Sequence, residues 1–144
     1  MKTTNTATTV WTGSGKAGEG RFTTRSGVLD GAVISFRKRF EGEKGTNPEE
    51  IIAAAHSGCF SMALAVQLEK AGYEARRLET AAKVTLEQQG DGFTITRSDL
   101  TLEASVPGIS PDQFAEIAAG AKANCPVSKL LNAEITLEIA SFRG

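Results

Sequence analysis

Apolar and polar residues alternate in short runs through the first third of the chain, around Val10–Thr12, Arg21–Thr24 and Ala32–Phe40, within a stretch from Thr8 to Glu43. Period-two alternation marks a strand with one covered face. Glycines interrupt the runs, and Gly13, Gly15, Gly18 and Gly20 read as turns. This third therefore predicts an antiparallel meander. In its last run the alternation puts Ile34, Phe36 and Phe40 on one face and Ser35, Arg37, Arg39 and Glu41 on the other, so Arg37 and Arg39 are expected to share the polar side.

The period then changes. After a loop at Gly42-Glu43-Lys44-Gly45, the run Thr46-Asn47-Pro48-Glu49-Glu50 has the makings of a helix start. Asn47 suits the cap, Pro48 the first turn, and Glu50 the closing position of a capping box. The predicted helix continues to about Ala71, where Gly72 is its stop signal, and Ile52, Ala55, Cys59, Met62 and Val66 form an apolar stripe at helical spacing. Leu78–Gln89 and Phe93–Val106 read as strands of a hairpin through Gly90-Asp91-Gly92. A second helix is expected over Pro111–Lys122, a break at Ala123-Asn124, a short turn or helix from Pro126 to Leu131, and a last strand over Glu134–Ser141. Two helices and roughly six strands, with strand runs clustered at both ends, predict an α+β fold.

Length and composition narrow the classes. At 144 residues the chain suits one domain, 1–144. With 40% hydrophobic and 23% charged residues it is expected to fold rather than stay disordered. A net charge of −1 without a run of Lys or Arg lacks the footprint that phosphate binding needs, so no nucleic-acid partner is expected. Wholly apolar runs fall far short of the roughly 20 residues that cross a bilayer, and Met1–Thr9 has no signal-peptide core. A cytoplasmic protein without a membrane partner is the expectation.

Chemistry then rests on two cysteines. In a reducing compartment paired thiols are more often reactive than structural. Cys59 on its stripe has a plain alternative, since free cysteine packs as a small hydrophobe. Cys125, in Asn124-Cys125-Pro126, falls at the expected N-cap of a helix, where free N–H groups stabilise a thiolate; helix-end physics alone nominates it as the reactive thiol. His56 lies three residues before Cys59, on the adjacent turn. A Cys–His hydrolase would also need a group to orient the base and an oxyanion hole, neither of which has a recognisable signature, so a structural or supporting role suits His56 better. One histidine and two distant cysteines offer no zinc-type spacing, and no glycine-rich phosphate loop follows a strand. No metal or cofactor is expected.

Phe40-Glu41-Gly42-Glu43-Lys44-Gly45-Thr46-Asn47-Pro48-Glu49-Glu50, followed by His56 and Cys59-Phe60-Ser61-Met62-Ala63-Leu64, closely resembles the OsmC/Ohr family of osmotically inducible and organic hydroperoxide resistance proteins, and the OsmC branch in particular. The likeness extends through Ser26-Gly27-Val28-Leu29, Val106-Pro107-Gly108-Ile109, Cys125-Pro126-Val127-Ser128 and Ala133-Glu134-Ile135-Thr136-Leu137, nearly the whole chain. It implies an OsmC/Ohr-like fold with antiparallel sheets, a long central helix carrying one cysteine, and an intertwined homodimer with sites at the subunit interface. The implied activity is peroxide reduction in stress defence by a cysteine pair, with Cys59 matching the peroxidatic and Cys125 the resolving cysteine.

A thiol inside a helix needs a cation to become a thiolate. The resemblance implies an arginine paired with a glutamate; Glu49 matches the glutamate, and Arg39 is the candidate arginine, with Arg37 on the same predicted face as the alternative. Ten residues of helix separate Glu49 from Cys59 by about 15 Å between Cα atoms, so any link between them requires a long arginine. Glu49 also suits the helix N-terminus as an acidic first-turn residue. On this reading an organic hydroperoxide gives an alcohol and a Cys59 sulfenic acid, Cys125 converts it to a disulfide, and a dithiol reduces the disulfide, the resemblance implying a lipoyl protein in type. Phe36, Phe40, Phe60 and Met62 are candidate linings of an apolar entrance. Two other readings stay open: a Cys–His acyl hydrolase, and a dimeric binding protein for small hydrophobic ligands.

Overall fold

The computed structural model describes residues 1–144. Two units form along the chain, Met1–Ile51 and Ile52–Gly144. In the first, β1 (Ala7–Thr12), β2 (Glu19–Thr24) and β3 (Asp30–Ser35) make an antiparallel sheet in the order β1-β2-β3, the meander expected from the alternation. Gly20 is a strand residue rather than a turn. It pairs with Trp11 and Ile34, and a Cβ there would lie 2.7 Å from Ile34 Cγ2 and 2.8 Å from the Trp11 ring. Only a glycine lets those side chains close over the strand.

The third strand stops at Ser35, and Phe36–Phe40 is a one-turn helix, α1, where a strand was predicted. Ser35 caps it, its hydroxyl accepting from the Lys38 N–H at 3.2 Å. Phe36 and Phe40 stand four apart, a spacing that fits a strand face and a helix face equally, and their ring centroids are 4.8 Å apart. The cap and the helix-favouring Arg37-Lys38-Arg39 decide between the two. Arg37 and Arg39 therefore do not share a face: two residues on a helix are about 200° apart.

A long helix, α2 (Pro48–Lys70), begins as the sequence indicates, with Asn47 Oδ1 accepting from the Glu50 N–H at 2.8 Å. Gly72 ends it at φ +87 in a Schellman arrangement: the Tyr73 N–H bonds to the Leu68 carbonyl and the Gly72 N–H to that of Glu69.

In the second unit β4 (Arg77–Gln89) and β5 (Gly92–Ser105) form the expected hairpin, with positive φ at Gly90, the first of its two turn residues. α3 (Pro111–Asn124) and α4 (Pro126–Leu130) follow, and β6 (Glu134–Arg143) completes a sheet in the order β4-β5-β6. β6 pairs with β5 in parallel, so this sheet is mixed rather than antiparallel. The two intervening helices act as a crossover that returns the chain to the start of β5, which is what parallel pairing requires.

Leu100, Leu102 and Ala104 of β5 alternate into a core with Phe60, Leu64 and Leu68 of α2 and Phe114, Ala118 and Ala121 of α3. The buried line of α2 is thus His56, Phe60, Leu64 and Leu68. Of the predicted stripe, Ala55, Met62 and Val66 are exposed, while Ile52 and Cys59 are partly buried. α2 is apolar on nearly every side, so more than one stripe could be drawn on it and composition fixed no phase. By length and composition alone it could cross a membrane, yet its buried line belongs to this core.

Candidate active site

Cys125 sits where two helices meet. Its N–H bonds to the Ala121 carbonyl at 2.9 Å, closing α3, and its carbonyl accepts from the Lys129 N–H at 3.0 Å, opening α4. Pro126 has no N–H with which to continue α3 and suits the first position of α4. This double anchoring holds a fully buried sulfur 2.9 Å from that of Cys59, which is partly exposed; both are free thiols.

The two thiols have opposite acidities. Burial raises Cys59, and its hydrogen bond with Cys125 raises it further, outweighing the Val127 N–H that favours its thiolate. Burial also acts to raise Cys125, but its hydrogen bond with Cys59, the Ser128 N–H and hydroxyl and the Val127 N–H prevail and hold it below its ordinary value. These donors act on the thiolate; the sulfur makes no capping hydrogen bond to α4 otherwise. The lowering at Cys125 comes first from its Cys59 neighbour and only then from the groups of the first turn of α4.

His56 is fully buried, with Nδ1 2.6 Å from Ser98 Oγ on β5 and Nε2 2.8 Å from Ser128 Oγ on α4. Burial lowers its pKa and favours a neutral ring. Both ring nitrogens are occupied by serine hydroxyls, leaving none to act as a base on Cys59. The sequence reading gave no role to Ser98 or Ser128. Ser128 lies in the quoted Cys125-Pro126-Val127-Ser128 motif, and Ser98 left a signal as the one polar member of the inward series Ser98, Leu100, Leu102, Ala104.

Arg39 and Glu49 meet within the Met1–Ile51 unit. Arg39 Nη2 is 2.6 Å from Glu49 Oε1 and Nε is 3.2 Å from Oε2, a two-pronged pair with the Glu49 side chain 11% exposed. Arg37 instead pairs with Glu43 at 3.3 Å, its side chain 71% exposed. The choice between the two arginines as partner of Glu49 falls to Arg39. No cluster of three or more His, Cys, Asp or Glu is arranged to hold a metal ion.

A mixed sheet backed by helices, with a partly buried cysteine on a long helix against a fully buried one at a helix junction, defines an α+β dithiol protein. The family model for OsmC-like protein matches residues 41–140. The chain is 51% identical to Peroxiredoxin OsmC of Escherichia coli (strain K12) over 128 residues, 89% of this chain and 90% of that protein. Identity to organic hydroperoxide resistance protein OhrB of Bacillus subtilis (strain 168) is 28%, covering 83% of this chain and 88% of that one. The crystal structure of Bacillus subtilis OhrB superposes with a TM-score of 0.68 at 26% identity, over 96% of this chain and 98% of that chain. The chain belongs to the OsmC-like family, on its OsmC branch.

Proposed function

We propose that this protein is a cysteine-based peroxidase that reduces organic hydroperoxides to alcohols in the cytoplasm, as part of oxidative or osmotic stress defence. The observation that carries the reading is the 2.9 Å between the sulfurs of Cys59, a partly exposed residue, and Cys125, a buried one. On this reading a peroxide reaches Cys59, the less buried of the two cysteines, and Cys125 reacts only with Cys59. The Cys59 thiolate attacks the peroxide oxygen distal to the organic group; with one proton taken up, the O–O bond breaks to give Cys59 sulfenic acid and an alcohol. Cys125 then displaces hydroxide from the sulfenyl sulfur, and the thiol proton leaves with it as water. An external dithiol, a lipoyl group in type, returns the disulfide to two thiols. Names such as peroxiredoxin and organic hydroperoxide resistance protein among the relatives support the substrate class.

Because burial raises the Cys59 thiol, a cation has to favour its thiolate. Arg39, oriented by Glu49, is assigned that role on the family resemblance, and the preassembled pair supports the assignment. The active form is assigned as a homodimer, which the exposed Val10, Trp11, Met62 and Val66 of the single chain favour.

The test is consumption of cumene hydroperoxide and hydrogen peroxide by reduced wild type, Cys59→Ser and Cys125→Ser with a dithiol donor. Turnover should vanish in both variants, with one equivalent of peroxide still consumed by Cys125→Ser. Single-turnover consumption by Cys59→Ser would make Cys125 the attacking thiol, and no consumption by folded wild type would overturn the peroxidase reading.

A further inference from the structure

On α2, His56 and Cys59 lie one turn apart, and each meets a residue of the short segment that opens α4. Cys59 meets Cys125 with 2.9 Å between sulfurs; His56 Nε2 meets Ser128 Oγ at 2.8 Å. Cys125 and Ser128 are themselves one turn apart. The helix junction is thus joined to α2 by two parallel rungs, a pair of sulfurs and an imidazole–hydroxyl hydrogen bond.

Packing alone does not ask for a histidine at this place. His56 continues the buried line of Phe60, Leu64 and Leu68, where an apolar side chain would avoid the cost of desolvating a ring with two polar nitrogens. Instead the core contains a second buried polar residue, Ser98, to satisfy Nδ1 at 2.6 Å. That expenditure of polar groups is aimed at Ser128.

We propose that His56 is a positioning residue for the resolving step: fixed by Ser98, its ring turns the Ser128 hydroxyl toward Cys125 and supports that sulfur as it attacks oxidised Cys59. The inference rests on the peroxidase reading above. A serine hydroxyl has one proton to give. If Ser98 donates to Nδ1, the ring hydrogen is on Nε2 and is donated to Ser128 Oγ, which leaves the proton of Ser128 free for the Cys125 thiolate. In the other tautomer the Ser128 proton is committed to Nε2, and an oxygen lone pair faces the anionic sulfur before it attacks. Only the first arrangement assists. In the step itself the Cys125–Cys59 S–S bond forms, the Cys59 S–O bond breaks, and hydroxide leaves with the proton of the Cys125 thiol as water, with no other oxidant or reductant. Burial keeps His56 neutral, so the ring orients without competing for that proton.

The experiment separates the two chemical steps. Reduced wild type, His56→Asn, His56→Gln and Ser128→Ala are mixed with one equivalent of cumene hydroperoxide and quenched over time. Trapped Cys59 sulfenic acid and the Cys59–Cys125 disulfide are followed by mass spectrometry. Sulfenic acid should form at comparable rates throughout. Disulfide formation should slow about tenfold in Ser128→Ala and His56→Asn, the effect of losing one hydrogen bond to a charged group, and sulfenic acid should accumulate. His56→Gln, whose amide N–H can replace the Nε2 hydrogen, should keep most of the rate. Wild-type disulfide kinetics in Ser128→Ala, or a Gln variant as slow as the Asn one, would overturn the proposal. If His56→Asn does not fold, Ser128→Ala decides by the same criterion. A wild type that forms neither sulfenic acid nor disulfide would instead refute the peroxidase reading on which the inference stands.

Discussion

Replacing Arg39 by methionine leaves Glu49 with a side chain 11% exposed and no guanidinium on its two oxygens. Breaking a buried ion pair from one side costs about 3–5 kcal/mol, because a charge is stranded. Here the Arg39 side chain is 32% exposed, so water reaches one face of the pair and takes over part of the interaction. A loss of about 2 kcal/mol is therefore expected, together with a midpoint roughly 6 °C lower at about 3 °C per kcal/mol. Urea unfolding of reduced Arg39→Met, Glu49→Gln and the double variant isolates the pair, since the cycle removes what each side chain contributes alone. The matched control is Arg37 with Glu43, whose side chains are 71% and 42% exposed and whose coupling should be about 0–0.5 kcal/mol.

Coupling at Arg39–Glu49 no larger than at Arg37–Glu43 would refute the reasoning. The same variants also bear on chemistry. Arg39→Met should slow sulfenic acid formation at Cys59, whereas Arg37→Met should leave it near wild type. Equal slowing by both would deny Arg39 its assigned role while leaving the pair's contribution to stability intact.

Two other perturbations probe the frame. Gly20→Ala puts a Cβ 2.7 Å from Ile34 Cγ2 and 2.8 Å from the Trp11 ring, a branched and a rigid neighbour, so the urea midpoint should fall by an amount corresponding to about 1–3 kcal/mol. Because Trp11 is the single tryptophan, its fluorescence should shift too, and an unchanged midpoint and spectrum would refute the close packing. His56 has a folded pKa below its ordinary 6.5, so the unfolded chain binds the proton more readily. The stability that follows is complete above pH 6.5 and declines as the pH falls through the folded value. Wild type should lose stability below pH 6.5 more steeply than His56→Gln, and parallel profiles would refute it.

Features written in a few neighbouring residues were legible in the sequence. Asn47 caps α2, Gly72 stops it, and Gly90-Asp91 turns the hairpin, because each depends on local dihedral preferences and hydrogen bonds. α1 was misread because a spacing of four between Phe36 and Phe40 serves either period, and α2 was given the wrong phase because it is apolar on nearly every side. The parallel pairing of β6 is not a local property at all. Neither is the seat of His56, whose partners lie 42 and 72 residues away in sequence. Motif resemblance, rather than periodicity, paired Cys59 with Cys125 and Arg39 with Glu49, and both pairs are in contact.

Acidity and exposure favour different cysteines, and the proposed two-step cycle would account for that division. If one thiol did everything, the more acidic Cys125 would be the obvious nucleophile, yet it is fully buried. Cys59 is the partly exposed cysteine of the two, and its thiol is raised by burial and by its neighbour. In the proposed cycle the first step needs a cation at Cys59. The second, as proposed, needs no access to solvent, only a sulfur 2.9 Å away, where Cys125 stands at the opening of α4. On this division Arg39 variants should act on sulfenic acid formation and His56 or Ser128 variants on its resolution. A variant in either group that slowed both steps equally would refute this division of roles.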